Sequence, residues 1–178
     1  MSRKTLLVPT LILVATFATQ HLSAQGGQQG QPGGGPPPPP PQTIDLATAK
    51  KMVAAAESAA TAMNAHVAIC VVDSNGDVVF FERMDTAAPR AVTSSQGKAR
   101  AALLFGLATA QVADAMRSGK AISSTLTPPI AGNWEITIQQ GGLPIMKNGK
   151  VVGAIGAGGS ASANDEKFAQ AGIDAMAK

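Results

Sequence analysis

The sequence contains few of the residues from which metal and redox sites are usually built. Its 178 residues include no tyrosine, one tryptophan, one cysteine and two histidines. The lack of tyrosine excludes a tyrosinate ligand, and the single cysteine, Cys70, excludes an internal disulfide. Only His66 lies beyond residue 24, and no carboxylates cluster around it in the sequence. An ordinary zinc site and a serine–histidine–aspartate triad are therefore not expected.

Charge of either sign is also scarce. Charged residues make up 14% of the chain and aromatic residues 3%. Of 14 basic and 11 acidic residues, Arg3 and Lys4 lie in a predicted leader, so cleavage leaves 12 against 11 and a net charge of +1. Nucleic acid is excluded as a partner, because the chain has neither a basic stripe nor aromatic residues to stack on bases.

The first 24 residues have the pattern of a signal peptide. Arg3 and Lys4 precede an apolar run over residues 6–18, and Ala24 supplies a small residue for cleavage. The run is too short for a convincing membrane span, although an uncleaved anchor stays open as an alternative. We expect export to the periplasm or the extracellular space, and no integral membrane segment after cleavage.

A linker and one folded domain are predicted after the leader. Residues 25–42 contain only glycine, glutamine and proline, and they end with the proline run Pro36–Pro41 and Gln42. This composition cannot build a core, so we expect a flexible coil followed by a stiff polyproline II spacer. Residues 43–178 are long enough for one domain with a real core.

Hydrophobic periodicity predicts an α+β domain. The predicted helices cover residues 45–64, 92–106, 109–116 and 164–177. The predicted strands cover residues 66–72, 78–82, 134–139 and the two arms of a hairpin at 143–157. Thr43 or Asp45 can cap the first helix, and Thr109 can cap the third. Asn-Gly pairs at 75–76 and 148–149 favour tight hairpins, which force antiparallel pairing. We expect an antiparallel sheet of about five strands flanked by helices.

Lys98 is the charged residue with the most informative position. On a helix it shares a face with Ala101, Ala102 and Phe105. Two interpretations stay open. The ammonium group either extends past an apolar seam into solvent, or points into a pocket as the partner of an anion.

Glycines before the last helix suggest a second anion site. Gly156 and Gly158 lie in a loop whose free N–H groups, together with the helix dipole, favour an anion. The loop lacks the lysine of a P-loop, and the flanking hairpins do not match a dinucleotide fingerprint. The alternative is that these glycines only allow close strand packing or a bulge.

Trp134 precedes a second glycine pair, Gly141-Gly142. Its ring is suited to form one wall of a site for a planar ligand. The same ring could instead anchor the core or an interface, and both interpretations stay open.

Several short segments, in order, resemble one family. They are Val71–Gly76, Phe81–Asp85, Gly97–Ala102, Gly141–Ile145, Gly149–Gly156, Asp165 and Ala169–Gly172. The chain from about residue 44 to 178 resembles the GlcG/HbpS family of haem-binding proteins, which is also similar to the C-terminal domain of PduO-type proteins. The stretch 121–140 fits this resemblance least well.

The resemblance implies a profilin-like sheet flanked by helices, assembly into homo-oligomers, and haem or a similar tetrapyrrole as ligand. It further implies that exported members sense or scavenge haem. On this hypothesis Lys98, with or without the loop of Gly156 and Gly158, neutralises the propionates. Trp134 and Gly141-Gly142 contact the ring. Axial ligation differs within the family, so no iron ligand and no catalytic residue are assigned.

Two other functions remain as alternatives. The first alternative is an enzyme that acts on a small molecule, such as a hydroxy acid, or on a tetrapyrrole. Few residues of the chain are suited to acid–base chemistry near neutral pH, which disfavours it. A structural assembly domain without a ligand is the other.

Overall fold

The computed structural model describes residues 44–126 and 134–176. The predicted signal peptide and linker lie outside the described residues and stay predictions. In the described ranges there are four helices, α1 Leu46–Ala62, α2 Pro89–Phe105, α3 Thr109–Arg117 and α4 Ser162–Met176. The strands are β1 Ala68–Asp73, β2 Val78–Arg83, β3 Gly142–Lys147 and β4 Lys150–Gly158. No helix in these ranges is long and apolar enough to cross a membrane.

The four strands form one antiparallel sheet in the order β2-β1-β4-β3. Each hairpin supplies one edge strand and one central strand, and the two central strands pair with each other, for example Cys70 with Gly156. The predicted α+β class with helices on an antiparallel sheet is confirmed. The predicted number of about five strands is slightly too high.

The missing strand is the segment 134–139, which has irregular backbone and lies along α2. The Thr137 N–H donates a hydrogen bond to the Gly97 carbonyl oxygen at 3.0 Å. A Cβ placed on Gly97 would come within 2.5 Å of Thr137 Oγ1. The alternating pattern was therefore misleading, because burial in this segment does not follow the apolar positions. Ile136 is exposed, whereas the polar Thr137 packs on α2.

The two hairpin turns differ. In the second hairpin Asn148 and Gly149 both have positive φ, at 52° and 74°, as a tight Asn-Gly turn requires. In the first hairpin Gly76 has positive φ, at 84°, but Asn75 does not. There the Asp73 carboxylate accepts the N–H groups of Asn75 and Asp77 and holds a wider turn.

The predicted starts of three helices can be compared with the structure. Asp45 caps α1 by accepting the Thr48 N–H at 2.7 Å. Thr109 does not cap α3. Its hydroxyl accepts the N–H of Gly142 at 3.0 Å, and Ala108 occupies the cap position. Helix α2 begins at Pro89, three residues earlier than expected, because proline is well tolerated at the first position of a helix.

Helices cover both faces of the sheet. Helices α1 and α4 pack on one face, where Ile69, Val71 and Ile155 belong to the larger core cluster. Helix α2 packs on the other face, against Cys70 and Val72. Strand β1 therefore alternates between two buried faces, which explains its continuous apolar sequence.

The backbone of α2 approaches the sheet unusually closely at glycine positions. A Cβ on Gly156 would lie 2.2 Å from the Ser95 carbonyl oxygen, and one on Gly142 would lie 2.3 Å from that of Lys98. Neither distance is compatible with any side chain. These two glycines therefore set the distance between α2 and strands β3 and β4.

Gly156→Ala should destabilise the domain by about 3 kcal/mol or more, since backbone atoms of α2 would have to move. Gly149→Ala is the matched control. No atom lies within 4 Å of a Cβ there, and the cost of its positive φ is about 1–2 kcal/mol. Urea unfolding measures both. Equal losses would contradict the close-packing role of Gly156.

Cys70 should be unreactive in the folded protein. It is fully buried, and burial raises the pKa of its thiol to about 12, with Arg100 opposing. Because the thiolate is the reacting species, a chromogenic disulfide reagent at pH 8 should modify Cys70 only after denaturation. Rapid labelling of native protein would contradict this placement.

Candidate functional site

Lys98 is buried in the middle of α2 and forms an ion pair. Its exposed fraction is 1%, and its Nζ lies 2.7 Å from Oδ2 of Asp165. The interpretation that extends this ammonium into solvent is wrong. The side chain points inward, but the anion that it meets is part of the same chain.

Asp165 was not identified as a site residue from the sequence. It lies in the first turn of α4 with an exposed fraction of 1%, and its Oδ1 accepts the Ser160 N–H at 3.0 Å. Burial raises the pKa of Asp165, while Lys98 and the Ser160 N–H act in the opposite direction. In the sequence an aspartate here looks like an ordinary helix-start acid. Nothing local links it to a lysine 67 residues away.

The ion pair lies at a cavity of about 250 Å³, which we call the inner pocket. Its lining comes from the first half of α2, the start of α4, the segment between β4 and α4, and Gln139 ahead of β3. The lining residues are Ala88, Arg90, Ala91, Ser94, Lys98, Gln139, Gly159, Ser160, Ser162 and Asp165. The pocket therefore combines charged groups with neutral hydrogen-bonding groups.

A second cavity of about 360 Å³, the outer groove, continues from the inner pocket between α2 and the segment 134–139. Both cavities share Arg90, Ser94 and Gln139. The remaining lining residues of the outer groove are Thr93, Glu135, Ile136, Thr137 and Ile138. Ile136 has an exposed fraction of 42%, so the groove offers some apolar surface to a ligand.

The four glycines singled out from the sequence lie near Lys98 but are covered. A Cβ on Gly141 would lie 2.8 Å from Cβ of Asp165, and Gly158 faces Ser94. Gly142 and Gly156 face the backbone of α2. The prediction of a loop at Gly156 and Gly158 is wrong, because both belong to strand β4 and pair with β1. The alternative, that these glycines allow close packing, agrees with their contacts. Their contact with a ligand stays a prediction.

Trp134 lies apart from this group. A Cβ on Gly76 would collide with its ring, and the Arg100 guanidinium lies 5.7 Å from the ring centroid. The half-buried ring also packs against the core cluster between α2 and the sheet. It lines neither the inner pocket nor the outer groove. A role in ligand contact also stays a prediction.

Another concave surface lies along α3. Two adjoining cavities of about 640 and 330 Å³ share Gln111, Ala115 and Lys120. Arg117 and Asp114, which line the larger of the two, are exposed and paired with each other. In the described ranges no three side chains of histidine, cysteine, aspartate or glutamate converge to hold a metal ion.

Comparison with known proteins identifies the family. Residues 44–174 match the family described as haem degrading protein HbpS-like. The chain belongs to this family. An uncharacterized 15.0 kDa protein from the dhaT-dhaS intergenic region of Citrobacter freundii is 34% identical over 136 residues, 76% of this chain and 94% of that protein. Protein GlcG of Escherichia coli K12 is 32% identical over 108 residues, 61% of this chain and 75% of GlcG.

Solved structures agree with this fold. A double mutant of HbpS from Streptomyces reticuli gives a TM-score of 0.65 at 27% identity, covering 93% of this chain and 97% of HbpS. The crystal structure of a PduOC:heme complex gives a TM-score of 0.65 at 22% identity, covering 75% of this chain and 95% of PduOC. The resemblance inferred from the short segments is thereby confirmed.

Removing Lys98 should cost more stability than removing a surface charge. Lys98→Met leaves Asp165 buried without its partner, a loss of about 3–5 kcal/mol. The double variant Lys98→Met/Asp165→Asn should recover part of this loss, because no buried charge remains. Arg117→Gln breaks an exposed pair and should cost less than about 1 kcal/mol. Thermal unfolding of the four proteins measures this, and a small loss for Lys98→Met would contradict the burial of the pair.

Proposed function

We propose that this chain is an exported protein that binds haem or a related tetrapyrrole, for scavenging, carriage or sensing. The match of residues 44–174 to the HbpS-like family carries this proposal. The heme complex of PduOC, a protein of the same fold, supports it. The predicted signal peptide supports export.

The outer groove and the inner pocket are the proposed site. Haem carries two propionates, which require cationic partners, and both Arg90 and Lys98 line the inner pocket. Ile136 and Ile138 line the outer groove and offer apolar contact to the ring. Bound haem would supply a redox-active iron, while these residues of the chain bind and orient its edges.

The size of the site bears on assembly. The outer groove, at about 360 Å³, does not enclose a porphyrin ring, so one face of the ring would remain open. We propose that a second copy of the chain covers that face in a homo-oligomer. The exposed side chain of Ile136 supports this arrangement, because it gives an apolar contact point beside the groove.

Haemin added to the mature protein should give a saturable shift of the Soret band. Arg90→Gln should weaken binding about tenfold, because an exposed cation at the groove is lost without disturbing the core. Arg117→Gln, which removes an exposed arginine outside the groove, should bind as the original protein does. A titration with haemin that gives no change in the Soret band would contradict the proposed haem binding. Equal weakening by both variants would contradict the location of the site.

The same loaded protein tests the enzymatic alternative. The family description names haem degradation, which makes a tetrapyrrole-modifying activity the second candidate. If the chain only binds haem, the Soret band should persist when ascorbate is added. Loss of the band with release of iron would favour degradation. Sedimentation velocity with and without haemin tests the proposed homo-oligomer in the same experiment.

A further inference from the structure

The inner pocket has a cationic character that is built into the backbone as well as the side chains. It opens on the start of α2, where Ala88, Arg90 and Ala91 contribute to the lining. Helix α2 has no side-chain cap and no acidic residue in its first turn. Pro89 has no N–H and the Ala91 N–H donates to the Ala88 carbonyl oxygen at 2.8 Å, but the positive end of the helix dipole still favours negative charge here.

The ammonium group of Lys98 has hydrogen-bonding capacity left over beside the inner pocket. Its ammonium group has three donors, but among the described residues it donates one hydrogen bond, to Asp165. Its side chain is 2% exposed, so bulk water does not serve the other two donors. A buried ammonium with donors left over, beside a cavity, is a ready partner for a ligand oxygen.

The lining also limits which anion fits. Arg90 and Lys98 oppose one carboxylate, that of Asp165, so the charged lining residues sum to one positive charge. A monoanion neutralises this charge, whereas a dianionic phosphate would leave one buried negative charge without a partner, at a cost in desolvation. A volume of about 250 Å³ equals that of about eight liquid water molecules, which is enough for a small organic molecule.

Neutral polar groups complete the lining. Ser94, Ser160, Ser162 and Gln139 offer donors and acceptors around the charged centre. Each Asp165 oxygen accepts one hydrogen bond in the structure and has capacity for another. A ligand hydroxyl group would therefore find an acceptor beside the ion pair.

We propose that the inner pocket is a receptor for the carboxylate of a small hydroxylated organic acid. Arg90 and Lys98 hold the carboxylate, the start of α2 faces its charge, and the serines with Asp165 hold the hydroxyl group. The inference rests on the proposed function at one point only: a haem propionate would compete with the acid for these groups.

Lactate and propanoate form a matched pair of probes, because they differ only by one hydroxyl group. Titration of the isotope-labelled protein without haem, followed by amide NMR, should shift the signals of Ala91 and Ser160. Lactate should bind with a dissociation constant on the order of 1 mM. Propanoate should bind several-fold more weakly, and inorganic phosphate more weakly still.

Two variants locate the groups responsible. Arg90→Gln should weaken both acids about tenfold, whereas Arg117→Gln should change neither. Ser94→Ala should weaken lactate and leave propanoate unchanged, because only lactate carries the hydroxyl group. Unfolding curves of each variant confirm that the fold is retained.

The outcomes separate this inference from the haem proposal. No saturable shift with lactate, equal binding of phosphate, or indifference to Arg90→Gln would each overturn the receptor. A Soret shift without acid binding would contradict only the proposed carboxylate receptor. Acid binding without a Soret shift would contradict only the proposed haem binding. Displacement of lactate by haemin would support both and place them at one site.

Discussion

The close contact between α2 and the sheet determines where the other parts of this domain lie. At Gly142 and Gly156 the helix backbone occupies the space that side chains would need. A helix that close to a sheet buries residues that would otherwise be half exposed. Lys98 is the residue most affected, because its own carbonyl oxygen faces Gly142 and its side chain is enclosed by β3 and α4. The ion pair with Asp165 follows from this enclosure.

A buried ion pair is a poor way to gain stability, because desolvation of both charges offsets much of their attraction. The position of the pair therefore tells more about its role than its small net contribution to stability does. Lys98 and Asp165 connect α2 to the first turn of α4, and they do so beside a polar cavity rather than inside an apolar core. A carboxyl group in a cleft whose pKa is raised by burial, as that of Asp165 is, is typical of functional sites. The pair thus serves both as a cross-link between elements and as the charged wall of the inner pocket.

The segment 134–139 forms one wall of the outer groove. It lies against α2 through the Thr137 to Gly97 hydrogen bond and supplies most of the outer wall. The surrounding stretch 121–140 is also the part of the chain for which the sequence predicted the weakest resemblance to the family. Helices α2 and α4 therefore supply the charges of Arg90, Lys98 and Asp165, and the segment 134–139 shapes the space beside them. Such a division lets related proteins with one fold differ in ligand.

The sequence by itself determined the features that depend on a few neighbouring residues. The sequence predicted correctly the turn at Asn148 and Gly149, a strand near residues 66–72 and the family resemblance, and it named Asp45 as one of two candidate caps of α1. Capping, φ preference and periodicity all act locally. Tertiary structure alone decided that Thr109 serves Gly142, that the segment 134–139 packs on a helix, and that Lys98 meets Asp165. Each of these contacts joins groups that are far apart in the sequence. A local sequence pattern does not show which distant donor, surface or charge will lie close to a residue after folding.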